Sequence, residues 1–367
     1  MRRNLSIFGF IAVISLIIGS VIFYFVGING REDVKLSGKI TVLADSGDYN
    51  AVLEAANNFK KLHNRIEINV IKDDNTYNKI SEEIKAAKFK EDMAIISEDN
   101  AGDLFKQSDS SFLELSGYSS DFSDGRLGAI TYNKKVLGIP WSSEPVMILY
   151  RSDIFSSEGI NIDDIKTWDD FRAIGKNLTI RTGKKFLAYN SSEFTKVYQA
   201  LLSQLRISYV DKINNTRVSD LINEMVYEGT LYGSDSIINL AKKEGTLAII
   251  AKPKDAYKLM EVTELKGKWG VMKIPAFEPG GNRDVSLGGK DLLINKNTKN
   301  INLSKEFAKY LSSDRSTVYL NLEKHGIFSA NYTVYEGEQF NTNEYFNTNI
   351  WSLYSDVEKN APENKYK

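Results

Sequence analysis

Between residues 40 and 96 the apolar pattern changes period again and again, and this alternation constrains the fold more than any other feature. Ile40-Thr41-Val42-Leu43-Ala44 is a short apolar run that stops at Asp45-Ser46-Gly47-Asp48, the pattern of a buried strand ending in a turn. Tyr49, Val52, Leu53, Ala56 and Phe59 follow at helical spacing, with Ser46 or Asp48 as the expected cap. Ile66, Ile68 and Val70 then alternate with Glu67 and Asn69, which predicts a second strand over 66–71. A second helix is predicted over 77–89 and a third strand over 93–96. Strand–helix–strand–helix–strand order gives a parallel sheet with helices on both faces, and hence an α/β fold. A ligand of such a sheet sits beyond the C-terminal strand ends. Those ends are Asp45-Ser46-Gly47-Asp48 and Ser97-Glu98-Asp99-Asn100.

The pattern continues downstream. Strands are predicted over 136–139 and 146–150, around Pro140-Trp141-Ser142-Ser143-Glu144-Pro145. Two prolines so close together are expected to break a regular strand and leave a stiff connection. Thr167 is placed to cap a helix opened by Trp168-Asp169-Asp170 and running to about residue 177. Further helices are predicted over 194–205, 220–227 and 303–311, and strands over 186–189, 245–250, 269–274 and 292–294. There is no internal repeat and no low-complexity tract. At 367 residues the chain is long enough for two domains.

Composition removes several chemistries. Cysteine is absent, which excludes disulfides, thiolate metal sites, iron–sulfur clusters and thiol nucleophiles. His63 and His325 are the two histidines, and a structural role is expected for both. Lys plus Arg (47) balance Asp plus Glu (48), so there is no basic footprint for nucleic acid. No phosphate-binding loop, dinucleotide fingerprint or EF-hand loop occurs, and no cofactor is expected.

The N-terminus reads as an address. Arg2 and Arg3 precede 24 uncharged residues, 5–28. At about 1.5 Å per residue this stretch spans the bilayer core of roughly 30 Å. The arginines set the orientation, with residue 31 onward outside the cell. Phe23-Tyr24-Phe25-Val26 is bulky for a cleavage site, which favours an uncleaved signal anchor over 1–30 and a polar tether over 31–37. Cleavage and secretion is the alternative.

Several motifs together resemble a known family. Ala55-Ala56-Asn57-Asn58-Phe59-Lys60-Lys61 follows the first strand and turn. Val136-Leu137-Gly138-Ile139-Pro140-Trp141 is followed by Leu149-Tyr150-Arg151-Ser152-Asp153-Ile154-Phe155, and then by Lys166-Thr167-Trp168-Asp169-Asp170-Phe171. Gly245-Thr246-Leu247-Ala248-Ile249-Ile250, Trp269-Gly270-Val271 and Leu287-Gly288-Gly289 complete the set. In order and spacing these resemble the extracellular solute-binding proteins of carbohydrate ABC importers, the family that includes maltose-binding protein.

The resemblance implies a two-lobe, periplasmic-binding-protein-like fold of type II with three hinge crossings. The crossings are expected near 142–145, 286–291 and 324–330. One lobe would comprise 38–143 with 291–325, and the other 146–286 with 328–367. Departures from the family matter too. Aromatics common after the first strand are replaced by Ala44-Asp45-Ser46-Gly47, and a Gly-x-Trp after residue 250 is replaced by Lys252-Pro253-Lys254. The lipid-modified cysteine of many relatives is missing, which leaves membrane attachment to the N-terminal helix.

Sugars offer hydroxyls to carboxylates and amides, and a weakly apolar face to aromatic rings. By position and resemblance the candidate ligand contacts are Asp45, Ser46 and Asp48; Glu98 and Asp99; Trp141 and Glu144; Glu193 and Phe194; Lys254; Gly288, Gly289 and Lys290; and Trp351. The competing roles are helix capping for Asp45, Ser46 and Asp48, hinge pairing for Glu144 and packing for Trp141. Trp168 and Trp269 are expected in the core. If Lys254 faces the cleft, an acidic ligand is implied. The function expected is a non-enzymatic receptor, monomeric and tethered to the membrane, that binds a carbohydrate and passes it to an ABC permease. The alternatives are a non-sugar solute, a sensor ectodomain, or a two-carboxylate glycosidase built on Glu98 and Glu144.

Overall fold

The computed structural model describes residues 36–362, apart from 116, 118–120, 206–211, 244 and 341–342. The predicted anchor over 1–30 lies outside the described residues. No helix among the described residues is long and apolar enough to cross a membrane.

The first half of the chain builds a sheet in the manner the period changes predict. Strands β1 (Gly38–Ala44), β2 (Ile66–Lys72) and β3 (Met93–Ser97) are parallel, with β1 between the other two. Period-two alternation sends Ile40 and Val42 to one face and Leu43 to the other. Met93 and Ile95 join the first of these faces, and Ala94 and Ile96 the second. Helix Tyr49–Leu62 covers one face with Val52, Ala55, Ala56 and Phe59. Its N-terminus is capped differently from expectation. Asp48 occupies the cap position but makes no capping bond with its side chain. Asp45 Oδ1 instead accepts from the amides of Gly47 (2.9 Å) and Asp48 (3.2 Å).

A hairpin of β4 (Thr131–Tyr132) and β5 (Lys135–Val136) leads into β6 (Ile139–Pro145). Here the structure corrects the sequence reading: residues 139–145 form a continuous strand, not a stiff connection. β6 is an edge strand, in the order β2-β1-β3-β12-β6, and an edge tolerates proline because one row of its backbone groups is unpaired.

The chain then passes through Val146 into a second sheet. It contains β7 (Met147–Arg151), β8 (Lys185–Asn190), β9 (Leu231–Ser234), β10 (Thr246–Ala251) and β11 (Trp269–Lys273), in the order β11-β7-β10-β8-β9. β8, β9 and β10 are parallel, and β7 runs against both β10 and β11. Met147 and Leu149 pack into one core and Ile148 into the other, so this sheet too is covered on both faces. Trp168 (3% exposed) and Trp269 (0%) lie in these cores. Thr167 caps helix Trp168–Thr182 in a reciprocal box with Asp170.

Strand β12 (Ser286–Ile294) returns to the first sheet, antiparallel to β3 and β6. Helix Ile301–Ser313 packs Leu303, Phe307 and Leu311 beneath it. The next helix, Arg315–His325, already buries Val318 and Leu322 with the second sheet's core. Three chain segments lie side by side between the sheets. Val146 donates to the Val285 carbonyl (2.9 Å), Ser143 to Phe328 (2.9 Å), and Ala330 to Trp141 (3.1 Å).

Candidate functional site

Between the two sheets lies a cleft of about 310 Å³. Parallel strands end on the same side, so the turns after β1 and β3 meet there. They contribute Gly47, Asp48, Ser97, Glu98 and Asp99 to one wall. The opposite wall comes from Lys196 and Gln199 of helix Phe194–Gln204, and from Lys252, Pro253 and Lys254 after β10. The floor is formed by the crossing segments: Ser142, Ser143 and Glu144 of β6, Leu287, Gly289 and Lys290 of β12, and 325–328.

Charge dominates these walls. Lys290 Nζ lies 2.6 Å from Asp45 Oδ2 and also pairs with Asp48. Burial pushes the Asp48 carboxyl up to about 6 against the pull of Lys290, with the Asp45 charge adding to the rise. Burial acts on Asp45 too, but Lys290 and the amides of Gly47 and Asp48 outweigh it and hold Asp45 below its ordinary value. Across the cleft, Glu144 Oε2 pairs with Lys196 (2.9 Å) and Lys252 (3.5 Å), and Lys252 reaches Glu193 (2.8 Å). Burial opposes ionisation of Glu144, yet the two lysines hold it below its ordinary range.

At the foot of the first wall, Glu98 is 6% exposed and pairs with Arg126 beneath the floor, itself 2% exposed. Arg126 also donates to Asp291 Oδ1 (2.7 Å) and to the carbonyls of Ser142 (3.2 Å) and Lys290 (3.1 Å). A buried carboxylate from the last described helix, Glu358, accepts from Ser123 Oγ at 3.0 Å and from Ser143. The glycines at the floor are there for space. A Cβ on Gly289 would stand 1.9 Å from the Ser142 carbonyl oxygen, and Gly288 holds a φ of +82° beside the Glu98 carboxylate.

The structure sorts the sequence candidates. Asp48, Glu98, Asp99, Glu144, Lys254, Gly289 and Lys290 line the cleft. Asp45, Glu193 and Gly288 stand directly behind, holding Lys290, Lys252 and the Glu98 pocket respectively. Ser46 is exposed and gives its amide to Asp74. Phe194 is on the surface against Tyr189, away from the cleft lining. Two tryptophans are corrections. Trp141 (1% exposed) packs in the first core with Ile139 and Leu292, because the alternation of β6 turns 139 and 141 inward and leaves 142 and 144 toward the cleft. Trp351 (3% exposed) packs against Phe328 and Tyr354 in the second core. Among the described residues the aromatic in the cleft lining is Phe328, 2% exposed and stacked on Tyr335 at 4.2 Å. His325 reaches the cleft lining, with Nε2 3.4 Å from Glu54.

Sequence reasoning missed Lys196, Lys252, Arg126 and Glu358. The predicted strand ended at 250, one residue short of β10, which hid Lys252 as the first residue beyond the strand. Nothing local in Ser123-Asp124-Gly125-Arg126 shows that the arginine is buried.

Two α/β lobes around a shared cleft, joined by three adjacent chain segments, define a two-lobe solute-binding protein. Residues 54–348 match the bacterial extracellular solute-binding protein family, and the chain belongs to it. It is similar to an arabinooligosaccharide-binding protein of Bacillus subtilis (strain 168), 26% identical over 52% of this chain and 47% of the relative. The chain thus matches about half the length of that curated relative. In fold it is similar to the sugar-binding protein MalE from Xanthomonas citri (TM-score 0.74, 13% identity, 88% of this chain and 86% of the other). A maltose-bound MalE3 of T. maritima is also similar (TM-score 0.68, 16% identity, 90% of each chain). The relatives are named for binding an arabinooligosaccharide or a sugar, and the family to which the chain belongs is one of solute-binding proteins.

Proposed function

We propose that this protein captures a carbohydrate, in the first instance an oligosaccharide, by closing its lobes and hands it to the permease of an ABC transporter. In this reading residues 1–30 moor it to the outer face of the cell membrane. The observation that carries the reading is the cleft itself: both walls supply polar side chains, and its floor is the set of crossing segments at 142–146, 285–290 and 326–330. A ligand touching both walls makes more contacts in the closed form than in the open one. It therefore shifts the population toward closure by its differential affinity. The similarity to arabinooligosaccharide-binding proteins supports the ligand class. The hydroxyl of Ser142 and the amide of Gln199 match the hydrogen-bonding needs of sugar hydroxyls.

Titration calorimetry on residues 31–367 tests the ligand class, and small-angle scattering tests closure. Heat with an arabino- or malto-oligosaccharide, together with a smaller radius of gyration in its presence, is the expected result. Binding of a peptide or polyamine with no response to any sugar would overturn the reading.

A further inference from the structure

We infer that the preferred ligand is an acidic sugar, a uronate-bearing oligosaccharide, and that Lys254 is the residue that selects it. The inference rests on the carbohydrate reading above and narrows it. A cleft for neutral sugars needs aromatic faces to stack on and carboxylates free to grip hydroxyls. This one offers little of either. Its aromatic, Phe328, is covered by its own stack on Tyr335. Three of its carboxylates already face cations: Asp48 meets Lys290, Glu98 meets Arg126, and Glu144 meets Lys196 and Lys252.

Lys254 is different. It lines the cleft, and among the described residues it has no carboxylate within ion-pair reach. Its side chain is exposed, and its Cγ passes close to Gly326 of the third crossing segment. Lys254 is thus an exposed cation on a wall that also carries Lys196 and Lys252, which Glu144 and Glu193 already engage. The remaining acid of the lining, Asp99, is on the opposite wall after β3. A ligand carboxylate meeting Lys254 makes a charge-assisted hydrogen bond, which closure of the lobes would shield from bulk water and which a neutral sugar cannot replace.

The test compares trigalacturonate, monomeric galacturonate, and neutral arabinotriose and maltotriose by calorimetry on residues 31–367, in low and high salt. Trigalacturonate is expected to bind about 10- to 100-fold more tightly than either neutral trimer, with the preference shrinking as salt rises. Lys254→Gln should collapse that ratio and Lys254→Arg should restore it, with circular dichroism showing that both variants fold. Monomeric galacturonate separates the sources: comparable affinity for it assigns a free sugar acid, weaker affinity an oligomer, and both retain the acidic class. Binding of a neutral trimer as tightly as trigalacturonate overturns this inference and leaves the carbohydrate reading standing, as does a preference unchanged in Lys254→Gln. No binding of any sugar by the folded protein overturns the carbohydrate reading itself.

Discussion

Arg126 and Asp291, 165 residues apart in sequence, are joined by a 2.7 Å charge-assisted hydrogen bond beneath the floor of the cleft. The same guanidinium holds Glu98 and the backbone carbonyls of Ser142 and Lys290, so one side chain ties the end of β3 to β6 and β12. Arg126→Met removes the cation shared by two buried carboxylates, Glu98 and Asp291. The expected loss is about 3–5 kcal/mol of folding stability in urea titrations. Arg126→Lys should recover only part of it, because an ammonium cannot fork between partners as a guanidinium does. A loss below about 1 kcal/mol in Arg126→Met would contradict this account.

Asp48 makes stability depend on pH in a definite direction. Its carboxyl ionises near 6 in the folded protein against an ordinary value of 3.8. Between those limits the folded chain holds a proton that the unfolded chain has released. The contribution of this group is therefore most favourable below about pH 4, falls as pH rises, and has levelled off above about pH 6. At about 1.4 kcal/mol per pH unit the fall amounts to about 3 kcal/mol. In Asp48→Asn the effect is gone. The stability of wild type minus that of the variant, measured by denaturant unfolding, should decline from pH 4 to pH 7. A flat difference over that range would disprove the assignment.

Gly289 allows β12 to approach β6 where the chain passes between lobes. A methyl group there would lie 1.9 Å from the Ser142 carbonyl oxygen and 2.6 Å from its carbon, both backbone atoms that cannot swing aside. Gly289→Ala should cost about 1–3 kcal/mol through forced separation of the two strands. The cost is read from the urea midpoint at constant slope. The register of β12 against β6 shifts between Ser286 and Gly289, so the strain falls on the crossing itself.

The parts of the fold set by local periodicity were legible in the sequence. The apolar alternation at 40–44, 66–71 and 93–96 and the Thr167 cap each fix their element without help from distant residues. The strand at 139–145 was hidden because its prolines speak against a strand locally, while the edge position that tolerates them is a property of the whole sheet. Hiding that strand also hid which way Trp141 points, since facing follows from alternation along it. Asp48 and Glu98 were legible as cleft residues because they follow strand ends, and Glu144 and Lys290 because they sit at the expected crossings between lobes. Arg126 and Glu358 were not, because their burial depends on partners more than a hundred residues away.

Trp351 provides a test that separates core from cleft. It is the second residue of helix Ile350–Asn360, on the buried side with Ile350, Tyr354 and Val357, and its ring lies 6.2 Å from that of Tyr354 and 6.4 Å from Phe328. Truncation to alanine empties a large volume that the surrounding helix and sheet refill only in part. Trp351→Ala should therefore lose about 3–5 kcal/mol of stability. Sugar affinity, measured by calorimetry at a temperature where the variant is fully folded, should change by less than about threefold, a difference below about 1 kcal/mol. A cleft tryptophan that stacks on ligand would behave in the opposite way, with a small stability loss and a large drop in affinity. That pattern in Trp351→Ala would return the residue to the ligand site and remove it from the core.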